Sequence, residues 1–505
     1  MKFIPFSYFS TTFLLFISTF PLISQNIPEE KTALNYRLES LGSVASQSTT
    51  LFWITNNSQG LIPLEANNIM LRGSISFFHN PNKNFRIESG LDIVGGNKSF
   101  INDSIGATRP GVFIHQMFAS FSYRFLKLTI GSKPVNNSIL DRSLSSGDFS
   151  FSPNARPVPE INLAFPEFVA VPYTKKYLQI KGDFALGKFI DNAYTQAVIY
   201  PQAFYAQDIL LHHKSFFISI GKSDGNFPLK FIFGLENCAQ WGGWNTIMGD
   251  MPRSFKDFLR VVIGAGGAED APFGDQVNRL GNHLGTYSFR LGYTLSTAEV
   301  AIYKQHYFED NSGMELANWR DGIWGIECSF FKSTYLKKIL FEYVQTLNQS
   351  GPFHFPYFHK DFPEGMKVRI GGNDNYYNHS DYPSGWSHFG RAIGNPLLTS
   401  PIYNRNGDLR FENNRIKAYH TGAQGNILPS LSYRILGTFM YGYGLQHWPF
   451  LERKYGFSSL FEFNYCFPQE KGWEVGFQFA TDRGSFYGNN IGALLRIAKS
   501  GQLMR

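Results

Sequence analysis

Residues 473–480 read Trp-Glu-Val-Gly-Phe-Gln-Phe-Ala, and residues 457–465 read Phe-Ser-Ser-Leu-Phe-Glu-Phe-Asn-Tyr. In both stretches the odd-numbered positions are mainly aromatic or aliphatic, whereas the even-numbered positions are mostly Glu, Asn, Gln, Gly or Ser. A period of two places alternate side chains on opposite faces of a β-strand. Each stretch therefore predicts a strand with one apolar face and one polar face.

The same alternation recurs along the whole chain, for example in residues 85–93, 287–293 and 324–330. A soluble β-sandwich alternates as well, so the pattern alone does not separate the two architectures. A soluble chain of 505 residues, however, would divide into several domains with helices or fully buried strands. A closed barrel in lipid instead carries apolar residues outside and tolerates charged residues inside. We therefore predict an all-β fold, a transmembrane antiparallel β-barrel.

The composition agrees with a barrel. Aromatic residues make up 17% of the chain, yet the mean hydropathy is only -0.20, as expected if each outward aromatic is offset by an inward polar residue. Beyond the first two dozen residues no run approaches the roughly 20 apolar residues that a membrane-spanning helix needs. A helical membrane protein is therefore excluded. The net charge of +7 is compatible with acidic polymers or anionic lipid headgroups and is specific to neither.

The N-terminus has the features of a secretory signal. A basic start precedes an apolar segment that ends near the small residue Ser24. Pro5 and Pro21 would make this segment a poor spanning helix. We predict a signal peptide at residues 1–24 and a barrel at residues 25–505.

Alternating stretches give about eighteen strands, with the first at about residues 34–45 and the last near residues 486–498. Every second connection is short and rich in turn residues, such as 80–84 and 186–188. The other connections are mostly long, and the four main ones are 46–68, 134–173, 239–284 and 348–415. The other long ones are 96–111, 309–321 and 442–455, whereas 201–207 is of medium length and 483–485 is a short outer turn. Because bacterial barrels have short periplasmic turns and long outer loops, this alternation predicts an outer-membrane protein with both termini in the periplasm.

Aromatic and amide-rich motifs are concentrated in the two largest outer loops. Sugars offer apolar ring faces that stack on Trp and Tyr, and hydroxyl groups that need the donors and acceptors of Asn, Asp, Gln and His. Loops that merely plug the barrel mouth through mutual aromatic packing would have a similar composition. The candidate polysaccharide-binding residues are Trp241, Trp244, Asn282, His283, Asn373, Asp374, Tyr376, Tyr377 and Trp386.

One of these loops contains a predicted helix. Phe255, Phe258, Leu259 and Val262 recur at helical spacing after Ser254. We expect a short amphipathic helix that lies across the barrel mouth.

The sequence contains no specific metal or nucleotide motif. The histidines of the second large loop lack the i, i+4 pairing of a helical zinc site, and the three cysteines show no metal or redox spacing. Asn373-Asp374-Asn375 begins like a calcium loop, but Ser384 occupies the place of the bidentate Glu. We predict no metal site. No Ser-His-Asp set stands out, although a hydrolase is not excluded because triads are spatial.

Several motifs resemble the capsule assembly Wzi family in its Bacteroidetes-type form. They are Leu144-Ser145-Ser146-Gly147, Pro153-Asn154-Ala155-Arg156-Pro157-Val158-Pro159, Gln240-Trp241-Gly242-Gly243 and Asn278-Arg279-Leu280-Gly281-Asn282-His283-Leu284-Gly285. The resemblance extends in order along nearly the whole mature chain. It implies an eighteen-stranded outer-membrane barrel that acts as a lectin and helps attach exported capsular polysaccharide to the cell surface, with no enzymatic activity and no cofactor.

We therefore expect a monomeric lectin-like protein whose partners are capsular polysaccharide and outer-membrane lipid, without nucleic acid. Two other functions stay open. A solute-selective porin would need an open lumen, and an outer-membrane hydrolase would need a triad or a carboxylate pair assembled among the loops. Conductance distinguishes the porin from the lectin, and turnover of candidate substrates distinguishes the hydrolase.

Overall fold

Strands dominate the computed structural model, which describes residues 32–504 except 99–110, 136, 199–203, 222–226, 352–355, 358–367, 370–371 and 405. In this part of the chain one antiparallel sheet has eighteen strands. Numbered in chain order, they are β1 Thr32–Ala45, β2 Asn68–Asn82, β3 Phe85–Gly96, β4 Gly111–Tyr123, β5 Leu126–Ser132, β6 Pro159–Ala170, β7 Leu178–Lys188, β8 Leu210–Ile220, β9 Leu229–Trp241, β10 Asn282–Thr294, β11 Ala298–Phe308, β12 Gly322–Phe330, β13 Lys338–Gln345, β14 Ile416–Leu428, β15 Leu431–Gly444, β16 Pro449–Cys466, β17 Trp473–Gly484 and β18 Asn490–Met504.

The remaining regular elements are short. The helices are α1 Phe52–Thr55, α2 Asn192–Val198, α3 Phe255–Ile263, α4 Phe273–Val277 and α5 Asn311–Met314, with a 3₁₀ turn at Pro401–Tyr403. Two-residue strands occur at 206–207, 244–245, 249–250, 356–357, 368–369, 387–388 and 391–392. No helix among the described residues is both long enough and apolar enough to cross a membrane.

The sheet closes on itself because β1 pairs with β18. Their register places Leu38 opposite Lys499 and Ala45 opposite Gly492, and each other strand pairs with the strands before and after it in the chain. Closure satisfies the backbone groups that an open edge would expose to lipid. The predicted eighteen-stranded antiparallel barrel is confirmed.

The connections between strands alternate in length. One end of the barrel has short turns, such as 83–84 and 429–430, whereas the other end has the long loops 46–67, 242–281 and 346–415. Long loops lie outside the cell in bacterial barrels. β1 therefore begins, and β18 ends, on the periplasmic side of the outer membrane.

One predicted turn is wrong. Leu186-Gly187-Lys188 is the end of β7, and the strand expected after it is replaced by the outer connection 189–209, which contains α2. The neighbouring periplasmic turn is instead 171–177. The Gly187-Lys188 pair is typical of a turn in sequence, but in the structure it continues the strand.

One strand was missed within the loop predicted at 134–173, because β6 occupies Pro159–Ala170. Its alternation is interrupted by Pro166 and by an irregular register between Phe165 and Val169. The outer loop is therefore 133–158. The prediction therefore missed β6 but included an extra strand after residue 188. These two errors cancel, so the predicted count of eighteen agrees with the structure.

Strand ends differ in smaller ways. β18 continues to Met504 rather than ending near residue 498. β15 and β16 extend toward each other, so that the connection predicted at 442–455 is the four-residue turn 445–448. The predicted signal peptide at 1–24 lies outside the described residues.

Strand β17 illustrates how side chains alternate between the outer face and the lumen face of the wall. Phe477 and Phe479 are exposed on the outside, whereas Ala480 is fully buried and Glu474 accepts a hydrogen bond of 2.7 Å from Arg37. This facing agrees with the alternation read from the sequence. Exposed apolar side chains recur around the wall and form the lipid-facing band, which includes Leu38, Leu71, Leu91, Ile114, Ile130, Ile161, Phe231, Leu291, Ile302, Ile326, Phe341, Phe457, Phe477 and Leu495.

The lumen side of the wall is polar. Arg72 lies 3.0 Å from Glu39 and 2.6 Å from Asp92, and Arg290 lies 2.6 Å from Glu327. A polar interior of this kind is tolerated because these side chains are shielded from lipid. Ion pairing also offsets the desolvation of the buried carboxylates.

The hydrophobic core lies inside the barrel rather than within its wall. Three outer loops fold inward and supply it with residues 51–64, 138–158 and the described part of 372–414, which we call the plug. Burial of this apolar surface stabilises the inward arrangement. The plug occupies the outer part of the lumen and positions everything at the mouth.

Candidate functional site

The plug has an aromatic centre. The rings of Tyr307 and Tyr376 are 4.6 Å apart between centroids, and the rings of Phe149 and Tyr307 are 5.2 Å apart. Trp386 is fully buried, and its indole N–H donates to the Ser150 carbonyl at 2.8 Å. The Tyr377 hydroxyl donates to the Phe149 carbonyl at 2.7 Å. Every polar tip named here has a partner, which is the condition for burying Trp and Tyr stably.

Hydrogen bonds fasten the plug to the lumen side of the wall. On β13, Glu342 accepts from the Ser145 hydroxyl at 2.7 Å and from the Ser146 N–H at 2.8 Å. On β9, the Gln240 side chain donates to the Gly385 carbonyl at 2.9 Å. Since these bonds hold two separate segments of the plug to different strands, the plug is fixed inside the outer part of the lumen.

Most of the predicted polysaccharide-binding residues lie inside this packing. Asp374, Tyr376, Tyr377 and Trp386 are buried in the plug, where Asp374 accepts from the Ser350 hydroxyl at 2.6 Å. Asn282 is buried in the wall, and its side-chain amide donates to Gln240 at 2.8 Å. In the closed arrangement these side chains stabilise the plug and present no surface to a polymer.

Trp241 and His283 are also buried, but on the outer side of the wall. The Trp241 ring lies 5.7 Å from the ring of Phe258 on α3. The predicted helix therefore exists, but it packs against the outside of the barrel rather than across the mouth. The amphipathic pattern showed a helix without showing which surface would cover it.

Two of the predicted residues reach the surface. Trp244 is 36% exposed and lies 5.9 Å from the ring of Tyr205, on a small sheet that joins strands 206–207, 244–245 and 249–250. Asn373 is partly exposed, and its side-chain amide lies 2.7 Å from the His447 imidazole.

Asn373 belongs to an exposed group that the sequence had not indicated. Trp448 is 63% exposed, and the Arg410 guanidinium lies 5.4 Å from the centre of its ring. Arg410 in turn pairs with Asp408 at 2.6 Å. We call Asn373, Asp408, Arg410, His447 and Trp448 the Trp448 patch.

The Trp448 patch was missed because two of its five residues lie in a short turn. Residues 445–448 connect β15 and β16. The aromatic and amide-rich composition used to predict the binding site is concentrated in the two largest loops instead. The available signal was the pair His447-Trp448 at the tip of an outer connection. Isolated aromatics at such tips are exposed unless another loop covers them.

Ionisable groups in the plug and beside it have perturbed pKa values. Burial raises the pKa of the Glu309 carboxyl to about 7, although Glu309 accepts hydrogen bonds from the Tyr307 hydroxyl at 2.6 Å and from the Tyr377 N–H at 2.7 Å. Burial also lowers the pKa of the Arg156 guanidinium to about 9, with a further contribution from Arg391. These shifts reflect the low polarity inside the plug.

One acid and histidine cluster lies near α4. Ligand atoms of Asp275, His379 and Asp381 lie within 4.8 Å of one another. The His379 Nδ1 accepts the Asp381 N–H at 3.1 Å, so that the neutral ring carries its proton on Nε2, and a protonated nitrogen is not a metal ligand. We assign no metal to this cluster.

Beneath the plug the lumen contains a cavity of about 410 Å³ on the periplasmic side. Lys181, Arg290, Glu327 and Lys338 contribute to its wall, and Arg142 of the plug contributes to its outer end. The cavity therefore ends where the plug begins.

This fold and mouth define an outer-membrane β-barrel whose outer loops close its lumen and leave polar and aromatic groups on the outside. Residues 145–371 match the family model described as capsule assembly protein Wzi. The family resemblance indicated by the sequence motifs is thus confirmed, and the matched region includes most of these motifs and residues 145–158 of the plug.

A solved structure supports the fold. The structure of Wzi from Escherichia coli, described as an outer membrane protein involved in group 1 capsule assembly and a carbohydrate-binding β-barrel, has a TM-score of 0.52 and 11% identity, and the match covers 92% of this chain and 83% of that one. Pseudomonas aeruginosa OccK5 and Acinetobacter baumannii OccAB2 have TM-scores of 0.45 and 0.47 at 8% identity, each over 94% of this chain and 98% of the other. These two lower scores carry no functional argument. No curated protein sequence matches the chain.

Proposed function

We propose that this protein is an outer-membrane lectin that binds exported capsular polysaccharide and helps to attach it at the cell surface. The observation that carries the proposal is the plug in the outer lumen, which favours binding of a polymer on the outer surface, together with the exposed aromatic and polar groups of the Trp448 patch. The match to the capsule assembly family supports the same conclusion. Binding leaves the polymer unaltered, and the protein acts as a monomer in the lipid of the outer membrane.

The chemistry of the Trp448 patch suits a sugar. The exposed ring of Trp448 offers an apolar face for stacking on a pyranose. Asn373, Asp408 and His447 supply donors and acceptors for hydroxyl groups. Arg410, which is paired with Asp408, adds further N–H donors beside the ring of Trp448.

A binding experiment with the cell's own purified capsular polysaccharide tests this function. Stacking on an exposed aromatic contributes on the order of 1 kcal/mol, so Trp448→Ala should weaken binding about fivefold. Trp244→Ala tests the second exposed aromatic in the same way. A suitable control is Tyr173→Ala, because Tyr173 is exposed on a periplasmic turn, away from the mouth.

Trp386 is unsuitable as a binding variant, because its burial means that Trp386→Ala would disturb the plug itself. Full affinity in a Trp244→Ala/Trp448→Ala double variant, with a normally attached capsule on cells, would contradict the proposed site. Shortening of the polysaccharide during incubation would instead favour the hydrolase.

A further inference from the structure

Part of the outer wall faces protein rather than lipid. On β9, Gln240 faces the lumen because it contacts the plug, so its neighbours Ala239 and Trp241 face outward. On β10, Asn282 is paired opposite Gln240 and His283 opposite Ala239, which places His283 on the outside as well. These outward positions are nevertheless buried.

The covering segment consists of residues 242–281 and the short helix α5, which we call the collar. Its helix α3 places the ring of Phe258 5.8 Å from the ring of His212 on β8. The Leu280 carbonyl lies 3.0 Å from the His283 imidazole, and the Gly313 carbonyl lies 2.9 Å from the His306 imidazole. The collar therefore covers polar outward side chains that lipid could not accommodate.

The covered positions are close to the outer ends of their strands, and the same level elsewhere on the barrel is bare. On the opposite wall Val44, Ile69, Leu71 and Ile114 are apolar and exposed, and Val112 is 78% exposed. These residues belong to the lipid-facing band. The collar consequently occupies a place that lipid occupies on the other side.

The outward face of helix α3 in the collar is itself apolar. Phe255, Leu259 and Ile263 follow one another at i, i+4 and i+8 along α3, so they lie on one face of the helix. All three are exposed, and Phe255 is 75% exposed. The exposed Phe273 on α4 adds to the same apolar character.

Caps at both ends and a buried inner face fix the orientation of helix α3. Ser254 caps its N-terminus in a capping box with Asp257, and Gly264 ends it in the left-handed conformation at φ 66°. Val261 on the inner face is fully buried. The basic residues Arg253 and Lys256 are exposed at the start of the helix.

We propose that the collar is a membrane anchor, in which α3 lies in the outer leaflet and binds an anionic, phosphate-bearing lipid surface. Phe255, Leu259 and Ile263 insert among the acyl chains and continue the lipid-facing band, while Arg253 and Lys256 contact phosphate groups at the interface. The anchor acts independently of polysaccharide binding. It fixes the rotation and depth of the barrel on the side where polar wall residues are covered.

Spin labels on the full-length protein in vesicles test this anchor. Cysteine is introduced singly at Phe255, Lys256, Leu259 or Ile263, in a background where the native residues Cys238, Cys328 and Cys466 are replaced by Ala. Labels at 255, 259 and 263 should be several-fold more accessible to oxygen than to a water-soluble nickel chelate. A label at 256 should show the reverse, and serves as the matched control on the same helix.

Two outcomes would overturn the anchor. Greater access of the nickel chelate at 255, 259 and 263 would mean that the apolar face stands in water. Exclusion of both reagents would mean that a second copy or another protein covers it. The headgroup contact is tested by comparing phosphatidylglycerol with phosphatidylcholine vesicles, since equal depth of the 259 label in both would contradict phosphate binding by Arg253 and Lys256.

Discussion

At the residue scale, one tryptophan has a structural role in the plug and another is a candidate for binding sugar. Trp386 is fully buried and hydrogen-bonded within the plug, whereas Trp448 is exposed beside Arg410. Both occur in polar, aromatic outer loops, so composition alone could not rank them. What distinguishes them is whether another loop packs on the indole, which is a long-range property that no local pattern contains.

Removal of the buried indole should therefore weaken the plug. We expect Trp386→Ala to lower the free energy of unfolding of the plug by about 3 to 5 kcal/mol, because it leaves a cavity and an unpaired Ser150 carbonyl. Trp448→Ala should change it by less than about 0.5 kcal/mol. Limited proteolysis of the outer loops in the folded barrel measures both, and equal cleavage rates for the two variants would contradict this assignment.

Glu309 gives the plug a dependence on pH. An acid whose pKa is raised to about 7 in the folded state keeps its proton while the unfolded chain ionises near its ordinary value of about 4.3. The folded state then binds more protons than the unfolded one, so stability falls as the pH rises from about 4 to about 7, by up to about 3 kcal/mol.

Glu309→Gln tests the origin of this dependence. The amide oxygen can still accept from Tyr307 and Tyr377, but it does not ionise. Loop proteolysis should accelerate between pH 5 and pH 8 in the unaltered protein and much less in the variant. An identical pH profile in both would assign the effect to another group.

At the scale of elements, the strands followed from alternation wherever lipid and lumen lay on opposite faces, as in β17. Failures arose where that contrast was broken. Pro166 and a bulge concealed β6. The amphipathic pattern of α3 predicted a helix, but it did not show whether that helix lies across the mouth or against the outer wall. The packing of loops against particular strands depends on contacts between distant residues, such as Gln240 and Gly385, and could not be predicted from either segment.

Facing within β17 makes a quantitative prediction. Phe477→Arg places a charge toward lipid and should cost about 2 to 4 kcal/mol if residue 477 lies near the membrane midplane. Gln478→Arg places the same charge toward the lumen and should cost far less. Urea unfolding of the two variants in the same vesicles measures the difference, and equal penalties would show that the assumed facing is wrong.

At the scale of the whole molecule, the plug distinguishes a lectin from a porin. Hydrogen bonds to β9 and β13 fix it inside the lumen, and Arg142 of the plug lines the cavity beneath it. We expect the intact protein to show little steady ion conductance in planar bilayers. Deletion of residues 350–410 removes much of the plug and should open a lumen wide enough to conduct.

The control for that deletion is a second loop deletion that leaves the plug intact. It removes the exposed tip 246–248 between the small outer strands. It should leave conductance low. A large steady conductance in the unaltered protein would make the porin the better description of this barrel.

The pairing of β1 with β18 also constrains how the molecule is made. The two strands that complete the barrel are the first and the last of the chain, while much of the plug comes from the segment between β13 and β14. Closure therefore requires the final strand, whose hydrogen-bonding groups pair with those of β1. We expect a variant that lacks β18 to leave an open sheet edge on β1, and the plug would then have no closed lumen to fill.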